Sequence, residues 1–386
     1  MRADIIFRGK VGSVLFSKNS YQLDDFMDEM RNSFPFTVRV SELFSWDCVN
    51  NEFQIESRED LLRLNLLVQR IDEMNEPEEA KMFALMTKYP KADISELLAM
   101  TYGLDSIEAY VCCNDDELTE LAFDNDWLPV FEDCPYEVLE YLDKEKVASE
   151  INDNREGYMY NGYYVEPEGF IALDICTDLP EPVKGFFRLR LAADCDGRID
   201  RDKAEWLTLP CSNDELKGFE QRHGTAVDRM ICIKAESALP MISPHTVTQT
   251  DISELNKLAE KLSVLSKDEF IKLKAVMEMG EVSGIDRTMD VVSRLDEFDF
   301  DPNPMDESVF GKIFLYNTLP VGFDTEVFST ADLGEFGISI LSAKGGMMTS
   351  YGVVSGQGQE LYTSIYSDQS QTEDEEMNEE TEMILS

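Results

Sequence analysis

Basic side chains are scarce in this sequence, and over one long stretch there are none. Of 386 residues, 34 are Lys or Arg against 78 Asp or Glu, a net charge of −44. Between Ala92 and Asp143 there are fifteen acids and no Lys, Arg or His. Such charge repels phosphates, so direct DNA or RNA binding is not expected. It also repels itself when the chain compacts, which costs stability. Histidine is nearly missing: His223 and His245 are the only two, which argues against a His-based catalytic or metal site. The absence of any run of about 18 apolar residues excludes a transmembrane helix from the expectation. Met1 to Lys10 lacks the apolar core and small-residue cleavage site of a secretory signal, so a cytoplasmic protein is expected. Eight cysteines (Cys48, Cys112, Cys113, Cys134, Cys176, Cys195, Cys211 and Cys232) contain no C-x-x-C pair. In a reducing compartment they are expected to be free, partly buried thiols.

The usual catalytic motifs are missing too. Neither a G-x-S-x-G elbow nor an H-E-x-x-H pair occurs, and no Lys-Ser/Thr follows Gly345-Gly346, Gly352, Gly356 or Gly358 to make a phosphate loop. Asp194-Cys195-Asp196-Gly197-Arg198-Ile199-Asp200, with Glu205, evokes a calcium loop. Its glycine is fourth rather than sixth, however, and Arg198 stands where an oxygen ligand belongs. It reads as an acidic turn. No metal, cofactor or catalytic residue is expected.

The base-free stretch is not a solvated tail. It carries Leu97, Leu98, Tyr110, Leu118, Leu121, Trp127, Val130, Phe131, Leu139 and Leu142, whereas disordered acidic segments have few aromatics. Asn114 to Asp126 reads as a helix that buries Leu118, Leu121 and Ala122 and lines its opposite face with Glu117, Glu120 and Asp124. A second helix is expected over Tyr136 to Val147, burying Val138, Leu139 and Leu142 and presenting Glu137 and Glu140. Carboxylates at helical spacing stand roughly 5–6 Å apart, comparable with phosphates along a DNA strand.

An internal repeat organises the rest. Asp60 to Met86 matches Asp251 to Met277 at a constant offset of 191, with identities at Asp60/Asp251, Leu64/Leu255, Asn65/Asn256, Glu78/Glu269, Lys81/Lys272, Ala84/Ala275 and Met86/Met277. Both copies read as paired amphipathic helices, the first starting behind Ser57 with Asp60 as a capping partner. Upstream, Val14-Leu15-Phe16 with Ser20, Leu23 and Phe26 parallels Leu207-Thr208-Leu209 with Asn213, Leu216 and Phe219, each a strand followed by a short helix. Further strands are expected near Phe36 to Val40 and Arg229 to Ile233. Downstream, Gly157 to Val165 reads as a hairpin turning at Asn161-Gly162. Its counterpart is expected within Gly337 to Val354, turning around Gly345-Gly346. The fold expected is α+β, an elongated tandem repeat of small subdomains: short β-sheet plus helix, helical middle and closing hairpin. The units are expected at 1–168 and 185–355, joined by a linker at 169–184 and followed by a disordered acidic tail at 356–386. Residues 1–170 and the remainder each carry a net charge of −22. Shape and charge are repeated, and no nucleophile or base is.

Ile107-Glu108-Ala109-Tyr110-Val111-Cys112-Cys113-Asn114-Asp115-Asp116-Glu117-Leu118 resembles the central acidic segment of the ArdA antirestriction family. Tyr141-Leu142-Asp143 through Tyr158, with Asn161-Gly162-Tyr163, resembles that family's closing helix and hairpin, and Ser57 to Met86 resembles its middle part. The second copy resembles the family mainly through Asp251 to Met277 and its hairpin. The resemblance implies a non-enzymatic mimic of B-form DNA, encoded by a mobile element or phage, that occupies the DNA-binding groove of a type I restriction-modification enzyme or a related defence protein in a bacterial host. Family members usually have one unit and dimerise. Two units in tandem would supply a dimer's charged length in one chain, as a monomeric pseudo-dimer, and a homodimer is the other option. The expected partner-binding residues are Asp105, Glu108, Asp115, Asp116, Glu117, Glu120, Asp124, Asp126, Glu132, Asp133, Glu137 and Glu140. In the second copy they are Asp296, Glu297, Asp299 and Asp301, where Arg287 and Arg294 break the acidic run. Two other readings stay open: an acidic interaction protein or chaperone for another basic DNA-binding partner, and an enzyme with an unfamiliar carboxylate metal site.

Overall fold

Helix starts in this chain are set by short polar pairs. Ser57 and Asp60 form a reciprocal capping box, with the Asp60 N–H donating to Ser57 Oγ at 3.3 Å and the Ser57 N–H to Asp60 Oδ2 at 3.0 Å. Asn75/Glu78, Asp93/Glu96, Ser212/Glu215 and Ser266/Glu269 repeat the arrangement. Each such cap contributes about 1 kcal/mol. Hydrogen bonds from Ser212 and Ser266 hold the Glu215 and Glu269 carboxyls below their ordinary range.

The computed structural model describes residues 2–7, 10–15, 19–31, 35–40, 52–132, 134–171, 184–195, 198–199, 201–304, 306–320, 328 and 330–356. The expected acidic tail beyond 356, most of the expected linker, and Asp133 lie outside them. The fold is mixed α+β, with four small antiparallel sheets among many helices in the described residues. Among the described residues no helix is long and apolar enough to cross a membrane.

In chain order the elements are β1 (Arg2–Phe7), β2 (Lys10–Leu15), α1 (Ser20–Glu29), β3 (Phe36–Val40), β4 (Glu52–Ile55), α2 (Arg58–Asp72), α3 (Glu76–Lys88), α4 (Ile94–Gly103), β5 (Ala109–Val111), α5 (Asp115–Asp124), α6 (Lys144–Asn154), β6 (Tyr158–Tyr160) and β7 (Tyr163–Val165). They continue with β8 (Phe187–Cys195), β9 (Arg198–Ile199), β10 (Glu205–Leu209), α7 (Asn213–His223), β11 (Met230–Ser237), α8 (Pro244–Gln249), α9 (Ile252–Leu262), α10 (Lys267–Met279), α11 (Ile285–Ser293), β12 (Phe298–Asp301), α12 (Glu307–Thr318), α13 (Leu333–Ala343), β13 (Gly346–Thr349) and β14 (Gly352–Gly356).

Contacts divide the chain into two units, one of residues 1–19 and 33–181, the other of 20–32 and 182–386. In the first, strands run in the order β2-β1-β3-β4 and, after the helical segment α2–α4, in the order β5-β7-β6. The β6–β7 hairpin turns at Asn161 and Gly162, both left-handed (φ 48° and 83°), the geometry an Asn-Gly pair favours. Cys112, Leu118, Ala122, Phe131, Leu139, Ile151 and Tyr164 form the core that seats α5 and α6 against this sheet.

In the second unit β8 lies between β10 and β11. Its alternation buries Phe187, Leu189 and Leu191 in a core shared with Phe219 of α7 and Leu255 and Leu258 of α9. The closing hairpin does not turn at Gly345-Gly346 as the sequence suggested. α13 runs to Ala343, Gly345 takes the left-handed conformation (φ 61°) after the helix end, and β13 and β14 reverse at Ser350-Tyr351. A glycine pair serves a helix end as readily as a hairpin.

Helix α1 differs from expectation in its neighbours. The sequence reading placed it with the first 168 residues, but it packs within the second unit. Lys274 of α10, only 2% exposed, donates to Asp25 Oδ1 at 2.8 Å and Asp28 Oδ2 at 3.0 Å, and Tyr351 Oη donates to Asp25 Oδ1 at 2.7 Å. Burial pushes the Tyr351 phenol far above its ordinary range, with the Asp25 charge adding to it. Replacing Lys274 by Met removes the buried cation shared by two inward-facing carboxylates and leaves Asp28 only the exposed Lys267 at 3.5 Å. We expect a loss of about 3–5 kcal/mol in urea denaturation, recovered in part when Asp25→Asn and Asp28→Asn are added. An unchanged midpoint for Lys274→Met would show that the cluster contributes nothing.

Candidate protein-binding surface

The acidic stretch folds into short elements that leave most of its carboxylates in water. α4 ends in a 3₁₀ turn at Leu104–Ser106 that exposes Asp105, and β5 follows. Asn114 then caps α5, its side chain accepting from the Glu117 N–H at 3.0 Å. Leu118, Thr119, Ala122 and Phe123 turn inward, Leu121 is half-buried, and Asp115, Asp116, Glu120 and Asp124 face solvent. Asp126 follows in the left-handed region (φ 52°), and Asp126 and Glu132 are also exposed.

Glu117 is not a free member of this set. It is half-buried and bends back, so that the Cys113 N–H donates to its Oε2 at 2.7 Å, and it serves the start of α5 as well as the surface. Glu108 accepts from Tyr110 Oη at 2.7 Å, a bond that raises the Tyr110 pKa. Asp116 and Glu120 both face Lys144 Nζ, each at 3.6 Å. Lys144 is the first base beyond the base-free stretch, and the packing of α6 on α5 brings it back over that surface. Asp143 caps α6 and pairs with Lys146, whose hydrogen bond lowers the Asp143 pKa.

The second expected helix is corrected. Tyr136–Tyr141 is a 3₁₀ helix, Leu142 is extended, and an α-helix begins only at Lys144. Three residues per turn align positions i and i+3. Leu139 is therefore buried, with Tyr136 set edge-on to Phe123 at 5.8 Å. Glu137 and Glu140 share a second column, and Val138 and Tyr141 a third. Val138, expected in the core, is 37% exposed, and Tyr141 is 86% exposed. Glu137 and Glu140 do face solvent.

In the second unit Asp296, Glu297 and Asp299 are exposed, but Glu297 is paired with Arg294 Nη2 at 3.1 Å. Asp301 is half-buried and accepts from the Asn303 N–H at 3.0 Å. The structure thus joins Asp105 to Glu140 along one continuous segment of the first unit, with the second-unit acids on a separate segment. Among the described residues no group of His, Cys, Asp and Glu is arranged to hold a metal ion. Cys112, Cys113, Cys134, Cys211 and Cys232 are free thiols. Burial raises the Cys112 pKa to about 11, so it stays protonated near neutral pH.

The exposed aromatic column went unread in the sequence, because Val138, Leu139 and Leu142 also satisfy α-helical periodicity. The signal available was Pro135 before the segment and Asp143 after it, a stop and a new cap within nine residues.

Glu117→Ala should cost about 1 kcal/mol in thermal or urea unfolding because it removes a cap. Glu120→Ala should change stability by less than about 0.5 kcal/mol, as an exposed group in long ion pairs does. Equal effects of the two substitutions would contradict the division into cap and displayed acid. No family model matches the chain, and no curated protein matches it.

Proposed function

We propose that the protein is a mimic of B-form DNA, as the ArdA resemblance implies, and acts by occupying the DNA-binding groove of a type I restriction-modification enzyme or related defence protein. The observation that carries this reading is the display of Asp105, Asp115, Asp116, Glu120, Asp124, Asp126, Glu132, Glu137 and Glu140 on short folded elements within a segment that has no base of its own. Carboxylates fixed on a packed scaffold hold their spacing, as phosphates do. A basic groove then gains many weak ion pairs, and occupation alone excludes the substrate. Long-range attraction makes association fast and salt-sensitive.

We further propose that the chain is a tandem duplication. What supports it is the run of elements at the sequence offset of 191: α3 and α10, and the 3₁₀ turns Leu104–Ser106 and Leu295–Glu297, start and end at that spacing, and α4 and α11 start at it. The strand orders β5-β7-β6 and β12-β14-β13 agree as well. The copies have diverged in what they show to solvent. α5 carries five acids, whereas its counterpart α12 carries one, beside Phe310, Phe314 and Tyr316. The larger part of the mimic surface accordingly belongs to the first unit, with Asp296, Glu297 and Asp299 exposed in the second.

Inhibition of ATP-dependent cleavage by a purified type I enzyme tests the reading. Single changes Asp124→Asn or Glu137→Gln should weaken inhibition by no more than about fivefold, since exposed ion pairs contribute about 0.2–1 kcal/mol each. Combining Asp115→Asn, Asp116→Asn, Glu120→Gln, Asp124→Asn, Glu137→Gln and Glu140→Gln should weaken it by about a hundredfold or more and flatten its salt dependence. A combined variant as potent as the original protein would overturn the proposal.

A further inference from the structure

Among the described residues three arginines are held in the same way, with a ring beneath the guanidinium and a carboxylate at its edge. Arg155 lies 4.7 Å from the Trp127 ring centre and donates to Glu166 Oε2 at 2.6 Å. Arg188 lies 4.5 Å from the Trp206 ring and 3.5 Å from Glu236 Oε2. Arg222 lies 5.5 Å from the Phe219 ring and donates to Glu205 Oε1 at 2.7 Å. The chemistry suits arginine in particular. Its guanidinium is planar and weakly hydrated, so its face stacks on a ring while its edge donates two parallel hydrogen bonds. An ammonium can sit near a ring and reach a carboxylate, as Lys234 does at Trp206 and Glu236, but it has no flat face to stack and no two parallel donors.

The 3₁₀ helix Tyr136–Tyr141 presents the ring and the carboxylates without the cation. The Tyr141 ring and Val138 form one exposed column, and Glu137 and Glu140 form the next. Among the described residues no base, ring or hydrogen-bond donor engages Tyr141, Glu137 or Glu140. The two nearby bases are occupied elsewhere, Lys144 with Asp116 and Glu120 and Lys146 with Asp143. Phosphate imitation has no use for an exposed aromatic face, since the outer track of a duplex offers none. A tyrosine this exposed has the composition of an interface hot spot.

We infer that Tyr141, with Val138 in the same column of the 3₁₀ helix and Glu137 and Glu140 in the next, is a receptor for an arginine side chain of the partner's basic groove. The inference rests on the reading that the partner is basic, and it adds that the partner presents arginine, not lysine, at this point. Binding then has two components, a diffuse one that salt screens and a local stacked one that salt weakens much less.

The test uses the full chain and two dye-labelled peptides, nona-arginine and nona-lysine, followed by fluorescence anisotropy at about 0.1 M and 0.4 M salt. Tyr141→Ala should weaken nona-arginine binding about three- to fivefold at both salt concentrations and leave nona-lysine within about twofold. Tyr141→Phe, which keeps the ring, should bind nona-arginine as the original protein does. Equal losses for both peptides, or none for either, would overturn the arginine receptor. The combined carboxylate variant separates this from the wider reading. If it loses both peptides while Tyr141→Ala is silent, only the receptor fails. If it binds both peptides as the original protein does, the basic-groove reading fails with it.

Discussion

Carboxylates outnumber cations by more than two to one in this chain, so most acids have to be held by something other than a salt bridge. The backbone does much of that holding. At Asp60, Glu78, Asp93, Glu96, Glu215 and Glu269 the carboxylate sits in the first turn of a helix or at its cap. There free N–H groups and the positive end of the peptide dipoles favour negative charge. These acids lower the energy of the fold. A highly acidic chain can therefore have many well-defined helix starts, and short helices tolerate an overall charge that would open a less carefully capped structure.

Some of the scarce cations are drawn inward, while others such as Lys146 and Lys267 stay exposed. Lys274 is enclosed by Asp25, Asp28 and the Phe270 and Tyr351 rings. Arg155 bridges Trp127 and Glu166, and Arg70 lies over Tyr102 while donating to the Thr101 carbonyl at 3.4 Å. Each is matched to a specific inner site, so few are left to neutralise the acidic surface of the first unit. Lys144, reaching Asp116 and Glu120 at 3.6 Å, is the clearest exception.

Local chemistry was legible in the sequence and non-local packing was not. The Ser57/Asp60 cap, the Asn161-Gly162 turn and the paired helices at 58–88 and 252–279 depend on residues within a few positions of one another, and the structure has them. The partner of α1 depends on Lys274 and Tyr351, more than two hundred residues away, and no local pattern announces such a contact. The segment at Tyr136–Tyr141 failed for a different reason. Apolar residues three and four apart fit both an α-helix and a 3₁₀ helix, but the two geometries put Val138 on opposite sides of the surface. The acids themselves were read correctly as exposed in most cases, because charge without a partner has little choice but to face water. Glu117 escaped because its partner is a backbone N–H, which composition does not reveal.

The two units differ where the proposed duplication makes comparison most direct. α12 and α13 pack backbone to backbone at two glycines: a Cβ on Gly337 would lie 2.0 Å from the Glu307 carbonyl oxygen, and one on Gly311 would lie 2.2 Å from that of Leu333. Such an approach brings main chains together and turns larger side chains outward, so Tyr316 and Ile338 are about half exposed. α5 and α6 have no glycine and are spaced by side chains instead, with Leu118, Ala122, Ala148 and Ile151 between them. The first pair has its apolar groups inside and can afford acids outside. The second uses its closest approach for backbone, leaving apolar groups at the rim, where Lys312 and Lys344 lie against the Tyr316 and Phe314 rings. Divergence in packing thus accompanies divergence in surface, five acids on α5 against one on α12.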